Sequence, residues 1–132
     1  MGDTPRFIRV PKVFTVVIST ANTALDGTGT LGTLATGASA SQGIEGGTLI
    51  KRITAKAQGT TTAGVLRFFI DGELFREELV TAITPSDTVK SYEATLAWPT
   101  ASDPLHLGDG QVLEAGTHNA EAFAITASGG DL

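Results

Sequence analysis

The sequence predicts an all-β protein, an antiparallel two-sheet sandwich or jelly roll of about eight strands with an extended N-terminal arm. Three observations carry this expectation. Short Val/Ile/Leu/Phe runs recur along the chain, as in Phe14-Thr-Val-Val-Ile18, Leu49-Ile-Lys-Arg-Ile53, Val65-Leu-Arg-Phe-Phe-Ile70 and Phe123-Ala-Ile-Thr126. Thr-, Gly- and Ala-rich segments separate them at roughly the 8–12-residue spacing of sandwiches and barrels. No useful length of chain carries a helical apolar period. Branched threonine fits a pleated surface and glycine serves tight turns, and neither favours a long helix.

The elements follow in order. Residues 1–13 form the arm, because Pro5 and Pro11 disfavour helix and remove backbone donors. In a polyproline-like arm, three residues per turn place Arg6, Arg9 and Lys12 on one side. Residues 14–132 form one sandwich domain, in keeping with a chain of 132 residues. Phe14–Thr20 is the first strand and Thr30–Thr36 a weaker second, with an Asp26-Gly27 turn between them. Gly37–Gly47 is a loop. Leu49–Ala57 is a strand with Leu49, Ile53, Ala55 and Ala57 on one face and Arg52, Thr54 and Lys56 on the other; Lys51 breaks that alternation and marks a strand end or bulge.

Val65–Ile70 and Leu74–Val80 flank Asp71-Gly72, the clearest hairpin signal, because Asp-Gly accepts the positive φ of a tight turn. Leu66, Phe68 and Ile70 share one face, and Phe75 and Leu79 another. Tyr92–Trp98 is a strand that Pro99 ends, with Tyr92, Ala94, Leu96 and Trp98 on one face. Residues 100–111 read as loop. Val112–Ala115 and Ala122–Ala127 are the last strands, and Gly129–Leu132 a tail. Adjacent Phe68 and Phe69 point to opposite faces, so one ring needs a cover from another sheet, another subunit or the arm.

Composition narrows the function. There is no cysteine, which removes disulfides, thiolate metal sites and cysteine nucleophiles together. The N-terminus has no apolar signal region, and no apolar run approaches the roughly 20 residues that cross a bilayer. No membrane association is expected. Net charge is −5, which argues against broad nucleic-acid binding. The charge is uneven: residues 1–90 hold nine bases against eight acids, and residues 91–132 hold six acids and no base. Such asymmetry steers one copy onto another, or onto a partner.

Catalytic constellations are scarce. His118 in its turn, with His106 and Asp103 or Asp109, is the best metal or hydrolase candidate, yet no ligand spacing demands it. The simpler reading is that Thr117, His118 and Asn119 brace a loop. No Gly-x-Ser-x-Gly elbow occurs, and Glu77 and Glu78 point to opposite faces of a strand. No enzyme activity, catalytic residue, cofactor or metal is expected. Partner-binding candidates are Arg6, Phe7, Arg9 and Lys12 on the arm, and Trp98 at its strand end.

Several segments resemble a group of small structural proteins of tailed bacteriophages. They are Asn22-Thr-Ala-Leu-Asp-Gly-Thr-Gly29, Ile53-Thr-Ala-Lys-Ala-Gln-Gly-Thr-Thr-Thr-Ala-Gly64, Arg67-Phe-Phe-Ile70, Val80-Thr-Ala-Ile-Thr-Pro-Ser86 and Ala115-Gly-Thr-His-Asn-Ala-Glu121. The resemblance spans roughly Ala21–Asp131 and contains no catalytic motif. It implies a capsid decoration, or cement, protein that is made in the host cytoplasm and resides on the virion surface. Its partners would be the major capsid protein and neighbouring copies, with a trimer favoured. The alternative is a tail- or fibre-associated protein with receptor or glycan contact through the loops near Trp98–Gly110.

Overall fold

A computed structural model of the chain describes residues 8–41 and 46–132. Among these residues are nine strands and no helix, arranged as two antiparallel sheets. The strands are β1 (Val10–Ile18), β2 (Gly32–Thr36), β3 (Thr48–Ala57), β4 (Gly64–Ile70), β5 (Glu73–Val80), β6 (Glu93–Thr95), β7 (Leu105–Leu107), β8 (Val112–Thr117) and β9 (Phe123–Asp131). The first sheet runs β1-β9-β3, and β3 then pairs with β7 along Thr48–Ile50 and with β6 along Thr54–Lys56. The second sheet runs β2-β8-β4-β5.

The expected all-β sandwich is therefore present. Its core lies between the sheets. Ile50, Ile53, Ala55, Phe123, Ile125 and Ala127 come from the first sheet; Leu34, Leu66, Phe68, Leu113 and Ala115 come from the second. Fully burying a Phe or Ile side chain contributes about 1.5–3 kcal/mol each, so this layer holds the two sheets together. Tyr92 closes one side. Its ring meets Phe123 edge-on at 6.2 Å and its hydroxyl donates to the Leu79 carbonyl at 2.7 Å.

The Asp71-Gly72 hairpin forms as expected, with φ of 50° and 83° at the two turn residues. Other boundaries differ, each for a physical reason. β1 starts at Val10, four residues before the expected Phe14, because Val10–Val13 find ladder partners in Ser128–Asp131. What reads as a C-terminal tail is thus the end of β9, a central strand between β1 and β3. Glycine is needed there, since a Cβ on Gly129 would run into the Leu49 carbonyl. Leu105–Leu107, expected as loop, adds a short strand at the β3 edge, and β6 is shorter than Tyr92–Trp98.

Two bulges also reset the faces. In β3 the register shifts between Ile50 and Arg52, leaving Lys51 as the extra residue. Ile50 rather than Leu49 then joins Ile53 in the core. In the β4–β5 pair the register shifts between Phe68 and Phe69. Phe75 turns to pack against the core, and Leu79 does not share its face but stands 76% exposed.

Phe69 points away from the inter-sheet core yet is 1% exposed, so this chain itself covers it. The 21–31 loop crosses that side. It leaves the sheet at Thr117, whose carbonyl accepts from the Asn22 backbone N–H at 2.8 Å. Gly27, at φ 80°, abuts the Gly72 carbonyl, and Leu31 packs on Gly116. The Asn22 side-chain amide donates to the Thr28 and Thr30 carbonyls, both at 2.9 Å, and fixes the loop. No second subunit is required to cover this ring.

Candidate partner-binding surface

The outer face of the first sheet is open. Paired residues share a face, so the ladder registers define its rows. Thr15, Thr126, Thr54 and Thr95 form one row across β1, β9, β3 and β6. Val17, Ala124, Lys56 and Glu93 form the row on one side, and Val13, Ser128 and Arg52 the row on the other. Alternation along β1 turns Phe14, Val16 and Ile18 inward and leaves Val13 and Val17 at 70% and 53% exposure. β9 carries only small or hydroxyl side chains here, while β3 sets Arg52 and Lys56 beside them.

At the β3 bulge the face deepens into a concavity of about 390 Å³. Ser128, Thr95 and Arg52 contribute from the strands, and Leu96, Pro99 and Thr100 from the loop after β6. Lys51, the bulged residue, lies at its rim. Lys51 and Arg52 are both exposed, and neither enters an ion pair among the described residues. No carboxylate lines the concavity. Two cations without an ion pair among the described residues, in a protein of net charge −5, create a local field of the opposite sign.

The residues singled out from the sequence do not converge here. Arg6 and Phe7 lie outside the described residues. Lys12 is committed internally: its ammonium meets the Asp131 carboxylate at 2.6 Å, and Asp131 also accepts from the buried Thr48 hydroxyl at 3.0 Å. Burial alone would push the Asp131 carboxyl up, but the hydrogen bonds from Lys12 and Thr48 and the charges of Lys12 and Arg9 outweigh it. The group is held below the usual carboxylate range. Arg9 is exposed, and its backbone N–H donates to the Asp131 carbonyl at 2.7 Å.

Trp98 lies between Ala97 and Pro99 of the concavity's wall, but its ring turns toward β5 of the second sheet. Phe75 meets its ring edge-to-face at 5.2 Å, and the Arg76 guanidinium lies 4.9 Å above the ring centre. A shallow groove of about 150 Å³ runs beside it, lined by Arg76, Glu77, Glu78, Leu96 and Ala97. Lys12 thus braces the first sheet, while Trp98 packs on β5 of the second.

His118 has a bracing environment. Its Nδ1 lies 3.4 Å from the Arg67 guanidinium, which pairs with Glu77 at 3.1 Å. The Thr117 hydroxyl donates to the Asn119 carbonyl. Asn119 donates to the Thr62 hydroxyl and the Ala63 carbonyl, and Glu121 accepts from the Thr62 backbone N–H and hydroxyl. These bonds staple the β3–β4 and β8–β9 turns together. Among the described residues, no group of three His, Cys, Asp or Glu is placed to hold a metal.

Sequence reasoning noted the irregularity at Lys51 but missed the concavity. Its walls come from segments that are distant in sequence, and only the β3 bulge hinted at a special site. The chain matches no protein-family model, no curated protein and no solved structure.

Proposed function

We propose that this protein is a non-enzymatic virion component that decorates a bacteriophage capsid, binding the major capsid protein lattice and neighbouring copies. The jelly-roll connectivity and the extended arm belong to the same reading. The observation that supports it best is the open outer face of the first sheet, with Lys51 and Arg52 unpaired among the described residues and Val13 and Val17 exposed. A face built on a cross-braced sandwich contacts a lattice without moving, which keeps the ordering cost of binding low. Arm residues 1–7 would add avidity once the body is docked.

The tail reading, with glycan contact at Trp98, draws less support. Arg76 caps one face of the indole and Phe75 abuts the ring, so the stacking platform a sugar needs is already in use.

The test is cosedimentation of the purified protein with particles assembled without it. Saturable binding at a simple fraction of the capsid subunits is expected, and the Lys51→Glu/Arg52→Glu variant should bind at least tenfold more weakly, a loss of about 1.4 kcal/mol. Absence of binding, or binding confined to tails, would contradict the proposal.

A further inference from the structure

An edge strand presents unpaired backbone N–H and C=O groups that recruit another strand unless something guards them. Most edges of this sandwich are guarded. β6 and β7 are three residues each, β2 is five residues interrupted by a bulge, and β5 carries Glu73, Arg76, Glu77 and Glu78. β1 is different. It spans nine residues, and β9 is the one strand that pairs with it among the described residues. Pro11 and Lys12 guard its first half, but Val13–Ile18 contains no charge, proline or glycine.

The proline fixes which groups face outward. Pro11 sits opposite Gly130 in an unbroken register from Val10 to Ile18. It has no N–H to give β9, so that pair is a non-hydrogen-bonded one and the Pro11 backbone turns to the free edge. Alternation then turns the N–H and C=O of Val13, Thr15 and Val17 to the same edge. Their side chains lie on the outer face, where Val13 is 70% and Val17 53% exposed. On the inner face Phe14 and Val16 touch the core yet stay only half-buried, as side chains at an open edge do.

We infer that two copies of this chain pair β1 to β1, antiparallel about a two-fold axis at Thr15, so that the first sheet of one continues into the other. Such a contact demands a surface that complements itself, and this register supplies one. Thr15 meets Thr15, and Val13 of each copy meets Val17 of the other, so both exposed valines gain cross-strand neighbours. Phe14 lies across from Val16 and extends each core. No charged side chain lies within Val13–Ile18, so no like charges are opposed there although each copy carries −5. At the ends, Pro11 of one copy reaches Ser19 of the other, at a pocket of about 120 Å³ lined by Val17, Ile18, Thr20, Leu31 and Gly32. Moving the axis to Phe14 sets Pro11, which has no donor, against Val17; moving it to Val16 sets Val13 against Ser19. An edge contact is smaller than the roughly 1,200–2,000 Å² of a standard interface, so it forms where copies are concentrated, as on a shared lattice. The inference rests on the neighbour-copy half of the proposed function. It is tested on purified protein alone, so its failure is distinct from a failure to bind capsids.

The chain has no cysteine, so a single introduced one reports the register. Residues in a hydrogen-bonded antiparallel pair hold their Cα atoms about 5.5 Å apart, within the roughly 4.4–6.8 Å that a disulfide spans. Under mild oxidation of concentrated protein, Thr15→Cys should form a covalent dimer about tenfold faster than Thr88→Cys, an exposed loop control. Val13→Cys and Val17→Cys should each cross-link at the control rate alone, and about tenfold faster when mixed. Sedimentation equilibrium should show a wild-type dimer that persists at about 500 mM salt, because no charges meet. Val17→Lys should raise its dissociation constant about tenfold, and circular-dichroism melts verify that each variant folds. Thr15→Cys cross-linking at the control rate, a mixture no faster than its parts, or a dimer that Val17→Lys leaves intact would each overturn the inference. An edge that serves another protein's strand instead would leave Thr15→Cys at the control rate while Val17→Lys weakens cosedimentation with particles, and that result also overturns it.

Discussion

Lys12 and Asp131 show how a residue's role depends on a partner at the far end of the chain. From sequence, Lys12 is one cation in an arm stripe with Arg6 and Arg9; in the fold it neutralises a buried carboxylate beside Thr48. No local pattern carries that pairing, because it exists only once β1 lies on β9. Its consequence is a pH dependence. Asp131 has a folded-state pKa below its unfolded value, so its contribution to stability is present above the unfolded value and is lost as pH falls through the folded one. Lys12→Met should cost about 1 kcal/mol near neutral pH, since the ammonium is half exposed, and should flatten the acid side of the stability profile between about pH 5 and pH 2. Thermal melts across that range measure it, and an unchanged acid slope would show that the pair contributes nothing.

Glycine sets the limits of what could be read at the scale of elements. Asp71-Gly72 was legible because two-residue turns have a local signature, and the structure has both residues at positive φ. Gly129 was illegible, because its need is the close approach of a neighbouring strand and the Gly-Gly pair reads as a tail. The two glycines make a direct comparison. At Gly72 a Cβ meets nothing within 4 Å, so Gly72→Ala should cost about 1 kcal/mol from backbone strain alone. Gly129→Ala drives a Cβ into the Leu49 carbonyl and should cost at least twice as much, as chemical denaturation would reveal. The bulges at Lys51 and Phe75 belong to the same class of hidden feature. Each inserts one residue, and each moves side chains that strict alternation assigned elsewhere.

The early start of β1 also revises where an arm can be cut. Removing residues 1–7 should leave the thermal midpoint nearly unchanged. Removing residues 1–12 also takes Val10–Lys12 from the β1–β9 ladder and the Lys12–Asp131 pair, so the midpoint should drop by several degrees. Equal melting of the two truncations would mean that this part of the ladder adds no stability.

At the scale of the whole molecule, the sandwich class was legible because apolar runs at strand length are a statement about burial, and burial decides the layers. The charge distribution was legible only as two unequal halves of the chain. The fold deals the acidic C-terminal part into both sheets. Glu93 and Asp131 go to the first, each beside a lysine, and Glu114 goes to the second. What remains is a net positive first sheet and a net negative second, a division that no linear charge plot contains. The proposed capsid decoration rests on the first of these sheets.

The most direct measurement of that central claim is the copy number of this protein in purified virions, by quantitative mass spectrometry against the major capsid protein. Capsid decoration predicts one copy per capsid subunit or a simple fraction of it. A handful of copies per particle, or none, would contradict it.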